Sequence, residues 1–228
     1  MTKPQIEVFH FLKFGAKEHI TDLFENGTIY CKPFDYFINI EDQEVRGDKY
    51  EGTKRISNYH EHQKLEVRFK IKETGKTINL NPKFFHLREH VNDIQGNLFC
   101  LYALKTPEIS TKSSFKIDSR VSEFGSLCLK INDVKEFHGR LTNELKKQNQ
   151  NYRTGLIEYY DKHKINDEIG LFRKPLEFEW QKEFRLFIDR QQKDSFTFKL
   201  GSLKDIAEIH DTEKIINYEW INDTQHSV

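Results

Sequence analysis

At 228 residues the chain is long enough to bury one sizeable core, and 36 Lys and Arg balance 36 Asp and Glu to a formal net charge of 0. That balance excludes a global field drawing the protein to nucleic acid or to an acidic surface, while leaving room for a local basic patch. Apolar residues make up only 36%, yet 19 Phe and 9 Tyr supply enough ring surface for a core, which excludes a disordered chain.

Cys31, Cys100 and Cys128 are far apart, odd in number and without a Cys-x-x-Cys spacing. Each sits in a strand-like run, so reduced and mostly buried thiols are expected. Residues 1–7 lack an apolar signal core, and no run of about 18 apolar residues occurs. The expectation is a single domain over residues 1–228, cytoplasmic and without membrane contact. In that setting Arg46-Gly47-Asp48 is not an adhesion motif.

In chain order, residues 7–14 (EVFHFLKF) have the aromatic and β-branched character of a strand. Ile20, Leu23 and Phe24 then share a helical face that stops at Asn26-Gly27. Thr28 to Lys32 is a second strand, ended by Pro33. Residues 33–58 mix Phe34, Tyr36 and Phe37 with the charged stretch Glu41 to Lys54, which reads as a long loop with a short helical turn. A hairpin over 64–72 and 76–80 turns at Thr74-Gly75. Leu98 to Leu104 and Ser126 to Ile131 are further strands, separated by a polar loop from Lys105 to Ser122.

A helix follows from about Asp133 to Lys147, striped by Val134, Phe137, His138, Leu141 and Leu145 and capped by Asn132 or Asp133. Tyr152 to Lys164 reads as another helix. A strand around Trp180, a short one at Ser195 to Leu200, a brief helix from Ser202 and a last strand near Lys214 to Trp220 complete the chain. Strands and helices without regular alternation imply an α+β fold.

The stretch Trp180 to Ile188 carries the most information. Its alternation points Trp180, Phe184, Leu186 and Ile188 one way and Gln181, Glu183, Arg185 and Asp189 the other. A carboxylate and a guanidinium two residues apart on a strand face are placed to line a cleft; a charged face meeting solvent is the alternative. His10 shares its face with Val8, Leu12 and Phe14, as a hydrogen-bonded core histidine would, and Tyr30 reads as core.

Arg46 to Gly52 holds two carboxylates, two cations and an aromatic between glycines. It reads as a solvated turn or as a loop that grips a ribose, phosphate or target. His86-Leu87-Arg88-Glu89-His90 matches H-x-x-E-H. On a helix this motif would put both histidines on one face for zinc, with Glu89 as general base. Pro82, Asn92 and Gly96 allow only a short helix there. His60 and His62 form a further pair that reads as exposed. The Gly-rich phosphate loops G-x-x-x-x-G-K-[ST] and G-x-G-x-x-G and the nucleophile elbow G-x-S-x-G do not occur.

Taken together, the order of segments supports a resemblance. The aromatic first strand with His10, the helix ending in Glu25-Asn26-Gly27, the Asp48-x-x-Glu51 loop and the late run with Lys174, Trp180, Glu183 and Arg185 are similar to a widespread bacterial family of uncharacterised domains. That family's late signature reads approximately K-x-x-x-W-x-x-E-x-E-[FYW]-R. Here Gln181 replaces the first Glu of the pair, and the early loop departs from the family's N-D-P-F-E at the Asn and Pro. The family in turn resembles ADP-ribosyltransferases, including toxins and phage-defence enzymes.

The resemblance implies an ADP-ribosyltransferase-like α+β fold of two packed, mostly antiparallel sheets with flanking helices. It implies NAD as substrate, with Glu183 and His10 catalytic and His10 on the ribose or diphosphate side. Tyr30 or Tyr36 would stack on nicotinamide, and Asp48, Glu51 and Arg185 would complete the NAD site. A carboxylate on the ribose hydroxyl would stabilise the oxocarbenium-like state. The implied acceptor is a nucleic acid or a protein, with Gln181 pointing to a nucleobase, and an antitoxin or regulatory partner would accompany a toxin. Two other readings stand beside it. One is a metal-dependent hydrolase or nuclease using His86, Glu89 and His90 with zinc, or Asp48, Glu51 and Glu183 with magnesium. The other is a non-catalytic module that senses a nucleotide or contacts a partner through residues 41–54.

Overall fold

Large residues on both sides of β1 (Val8–Gly15) bury it between two cores, with Phe11 packed to one side and Leu12 and Phe14 to the other. The computed structural model describes residues 7–38, 48–60, 63, 66–90, 94–105, 114–218 and 220–221. After β1, α1 (Lys17–Asn26) buries Ile20 and Leu23. It ends at Gly27, whose φ of 64° is left-handed and whose N–H bonds to the Leu23 carbonyl at 2.9 Å. Next come β2 (Thr28–Pro33), the short α2 (Phe34–Ile38), β3 (Thr53–His60), β4 (Val67–Lys70) and β5 (Thr77–Leu80). β6 (Phe84–His90), β7 (Asn97–Lys105) and β8 (Ser114–Phe115) lead to a 3-10 turn over Ser119–Phe124.

β9 (Leu127–Ile131) then enters α3 (Val134–Lys147), where the Asp133 carboxylate accepts the Glu136 N–H at 2.8 Å. The chain continues through β10 (Asn151–Leu156), β11 (Glu158–Tyr160), β12 (Asp167–Glu168) and β13 (Arg173–Pro175). A 3-10 helix over Leu176–Gln181 precedes β14 (Glu183–Asp189). β15 (Phe196–Lys199), β16 (Ala207–Asp211), α4 (Thr212–Asn217) and β17 (Trp220–Ile221) finish the described fold.

The main sheet has eight strands in the order β10-β14-β7-β1-β9-β16, with β2 joined to β7 and β15 joined to β2. Its pairings are antiparallel; β11 and β13 form a parallel pair. α1 and α3 cover one face through a core that includes Phe11, Leu101, Phe137, Leu141 and Leu186. The opposite face carries two cores, one around Leu12, Tyr102 and Trp180 and one around Phe34, Leu98 and Phe187. The expected α+β class with mostly antiparallel sheets is therefore present. Against that second face stand small sheets, β12-β3-β6 and the β11–β13 pair, rather than one partner sheet of equal size.

Several local expectations are corrected. Tyr152 to Lys164 is not a helix but β10, β11 and a turn. Six register pairs from Asn151–Asp189 to Leu156–Phe184 give β14 its edge partner, and a Cβ at Gly155 would stand 3.2 Å from Phe172. Trp180 is not on the strand: it lies in the 3-10 helix, and Lys182 at φ 43° turns the chain into β14. Residues 84–90 are strand, paired with β3 from Thr53–His90 to His60–Phe84. His86 and His90 are thus roughly 13 Å apart, and one zinc cannot reach both. The brief helix from Ser202 is a turn that buries Leu203, and the strand expected near Lys214 to Trp220 is mostly α4, lying between β16 and the short β17 at Trp220–Ile221. Residues 41–47, which include Arg46 and Gly47, and also His62 and 106–113, lie outside the described residues.

Candidate functional site

β14 sits between β10 and β7, so both its edges are paired, and Glu183 to Ile188 are all buried, so both its faces are covered as well. Phe184, Leu186 and Ile188 join the core under α1 and α3. Glu183 and Arg185 take the other face, opposite Tyr102 and Cys100 of β7. A strand expected to be half-exposed therefore buries its charged face as well: Glu183 is 5% exposed and Arg185 1%.

Such burial requires full pairing. Arg185 Nε donates to Glu183 Oε1 at 2.7 Å; its two Nη atoms grip Glu51 at 2.8 and 3.1 Å; and Nη1 also reaches the Leu171 carbonyl at 2.5 Å. Lys174 Nζ donates to Glu183 Oε2 at 2.7 Å and to Gln181 Oε1 at 2.9 Å. Asp48 opens the turn that delivers Glu51: its Oδ1 accepts the Tyr50 N–H at 2.8 Å and its carbonyl accepts the Glu51 N–H at 2.9 Å. The Tyr159 hydroxyl accepts the Glu183 N–H at 2.9 Å. Residues separated by more than 130 positions meet in one buried charge cluster.

Burial by itself would raise the Glu183 carboxyl, but Arg185 and Lys174 overcome it and hold the group well below the usual carboxylate range. Asp48 goes the opposite way. Burial, reinforced by the Glu51 charge, pushes it from 3.8 up to about 6. Burial and Glu183 likewise push the Cys100 thiol far up, so it stays protonated.

The sequence-predicted residues are thus divided. Asp48, Glu51, Glu183 and Arg185 come together. His10 lies on the same sheet face, but along the register Glu183–Tyr102–Leu12 it is two strands over and two residues on, roughly 12 Å away by backbone spacing. Buried Leu12, Tyr102 and Leu104 fill the interval, so the expected hollow between His10 and Glu183 is core. His10 turns instead toward Lys130 and Glu208, and burial followed by Lys130 lowers its pKa.

Tyr30, expected in the core, is 51% exposed, with its hydroxyl 2.7 Å from Ser195 Oγ. Tyr36 is also exposed, under Lys32 Nζ at 3.5 Å from the ring centre. Sequence reasoning missed Cys100, Tyr159 and the Leu171 carbonyl as members of the cluster. It quoted Lys174 within the late signature without giving it a role at the site. For Lys174 that signature was the available signal; the others carry none.

Of the three carboxylates proposed for magnesium, Glu51 and Glu183 are bridged by Arg185, and Lys174 holds the second oxygen of Glu183. Among the described residues no group of three or more His, Cys, Asp or Glu side chains is placed to hold a metal ion. Two surface hollows lie elsewhere, one along α1 and another beside Phe9, Asp133 and Lys204.

Beside the turn, Tyr50 is half-buried against the small core of Ile56, Tyr160 and Ile169. Its hydroxyl is 3.4 Å from His86 Nε2, and Arg88 and Lys162 stand over its ring at 4.8 and 5.3 Å. No helix among the described residues is long and apolar enough to cross a membrane. Comparison with protein-family models, with curated proteins and with solved structures gave no match to this chain.

Proposed function

We propose that this chain is a nucleotide-binding module in which the turn around Tyr50 is the responding element and the buried cluster is its anchor. The observation that carries this reading is the state of Glu183. Both of its carboxylate oxygens are engaged, by Arg185 and Lys174, and the side chain is almost wholly buried. A glutamate that assists glycosyl transfer has to offer an oxygen to the ribose as positive charge develops. Here that oxygen is neutralised and enclosed. The same arrangement fixes Glu51 and sets Tyr50 beside two cations, Arg88 and Lys162, a setting suited to an anionic ligand.

The test is calorimetry and thermal unfolding with NAD, ATP and other nucleotides, alongside an assay for nicotinamide release. A binder at about 100 times its Kd adds about 2.7 kcal/mol of stability, visible as a shift of several degrees. The expected outcome is stabilisation by at least one nucleotide, with NAD left intact. Glu183-dependent release of nicotinamide would overturn it.

A second reading, NAD-dependent ADP-ribosyl transfer to a macromolecule by an ADP-ribosyltransferase-like fold, is favoured by one specific observation. Asp48, Glu51, Lys174, Glu183 and Arg185, which carry part of the family resemblance, form a single hydrogen-bonded unit together with Gln181, where the chain departs from it. It requires nicotinamide release that Glu183→Gln abolishes while the far-UV spectrum stays native.

A further inference from the structure

We infer that two copies of this chain associate through β10, whose free edge pairs antiparallel with itself about Thr154 and so continues the main sheet into a second molecule. β10 stands at one end of the strand order of that sheet, and among the described residues β14 is the strand it pairs with. The Ile157 N–H bonds to the Glu183 carbonyl at 2.9 Å. Antiparallel bonds join directly opposed residues and skip every second pair. Along this register Asn151, Arg153 and Gly155 therefore turn their backbone groups to β14. The N–H and C=O groups of Tyr152, Thr154 and Leu156 point the other way, where no strand among the described residues meets them. The usual guards of an edge are missing: the register runs without a bulge, and Asn151–Leu156 contains neither Lys nor Pro. Its charged residue, Arg153, lies back over its own sheet, 5.0 Å from the centre of the Phe187 ring and 3.3 Å from Asp189. β16, at the far end of the order, is shorter and carries Glu208, His210 and Asp211.

A second copy is the occupant that the side chains fit, through an isologous contact. With the two-fold axis at Thr154, Tyr152 of one copy opposes Leu156 of the other, Thr154 opposes itself, and every outward residue exchanges both its bonds. Tyr152 and Leu156 lie on the α3 side, half-buried against the main core, and each gains the other as an apolar cross-strand neighbour. On the opposite side Arg153 faces Gly155 of the second copy, which has no side chain to obstruct it. Neighbouring registers are poorer. An axis at Arg153 sets two guanidinium groups face to face and puts Leu156 opposite Gln150, whose N–H is already bonded to the Leu145 carbonyl at 2.9 Å. An axis at Gly155 puts Tyr152 opposite Glu158, whose N–H is already bonded to the Phe172 carbonyl at 2.9 Å. The association is independent of the nucleotide reading, and either can fail alone.

Sedimentation equilibrium of the full chain in reducing buffer, from about 1 to 200 μM, tests the inference over the range of weak self-association. A reversible monomer–dimer equilibrium is expected. Thr154→Pro removes the outward N–H at the axis, at an edge position that tolerates proline. Thr154→Lys sets two ammonium groups opposite each other across the axis. Each should raise the dimer Kd about tenfold or more while the monomer keeps its far-UV spectrum. Glu208→Lys, on the β16 edge, should leave the equilibrium unaltered. A monomer at every concentration, or a dimer that keeps its Kd with Thr154→Lys, overturns the inference. A dimer weakened by Glu208→Lys as much as by the Thr154 variants overturns it too, because the contact is then not specific to β10.

Discussion

Arg185 donates four hydrogen bonds from a side chain that is 1% exposed, two of them to Glu51 as a fork. Removing one member of such a pair leaves a buried charge without its counter-ion, which costs about 3–5 kcal/mol, whereas replacing both by apolar groups of similar size is often neutral. Glu51→Gln is therefore expected to lower stability by about 3 kcal/mol. The double variant Glu51→Leu with Arg185→Met should lose much less than the sum of the singles, because Lys174 and Glu183 remain as a neutral pair. Urea midpoints across the cycle check this, and additive losses would show that the contact is not coupled. The pairing of Glu51 with Arg185 was not legible in the sequence. Two short motifs named both residues, but neither could say that one was the other's partner.

At the scale of elements, helix stops and strand alternation were the most legible features. The end of α1 at Asn26-Gly27 followed from the need for a left-handed residue, and Gly27 holds φ 64°. Its surroundings tighten the requirement, since a Cβ there would lie 2.0 Å from the Gly201 carbonyl oxygen. Gly27→Ala should destabilise the fold by more than about 1 kcal/mol, read as a lower unfolding temperature. Gly75, with φ 69° and open space around it, is the useful comparison, because only backbone strain applies there. The elements that sequence periodicity misread were β6, β10 and β16. Each is stabilised by a neighbouring strand distant in the chain: β3 for β6, β14 for β10 and β9 for β16. Local pattern contains no information about such partners.

Across the whole molecule, the charge cluster ties the main sheet to the small structures above it. Arg185 and Glu183 belong to β14, Lys174 to β13, and Glu51 to the turn before β3. Its titration should therefore shape global stability. Asp48 is held up at about 6 against an ordinary 3.8, so its contribution is complete below about 4 and is lost as pH rises through 6. Glu183 is held below its ordinary 4.5, so its contribution is present above that value and is lost as pH falls below it. Stability should peak between these limits. Asp48→Asn should remove up to about 3 kcal/mol of the loss on the neutral side. Unfolding temperatures from pH 4 to 7 measure this, and an unchanged slope in the variant would contradict it.

The sequence by itself determined the α+β class, the strand at β1, the helices α1 and α3 with their caps, the hairpin of β4 and β5, and the strands β7, β9 and β15. These depend on local periodicity and turn chemistry. Only the tertiary structure decided that the polar face of β14 is interior, that His10 and Glu183 are separated by packed side chains, and that Tyr30 is exposed. Burial and long-range pairing depend on what covers a face, and a chain's own alternation cannot specify its cover.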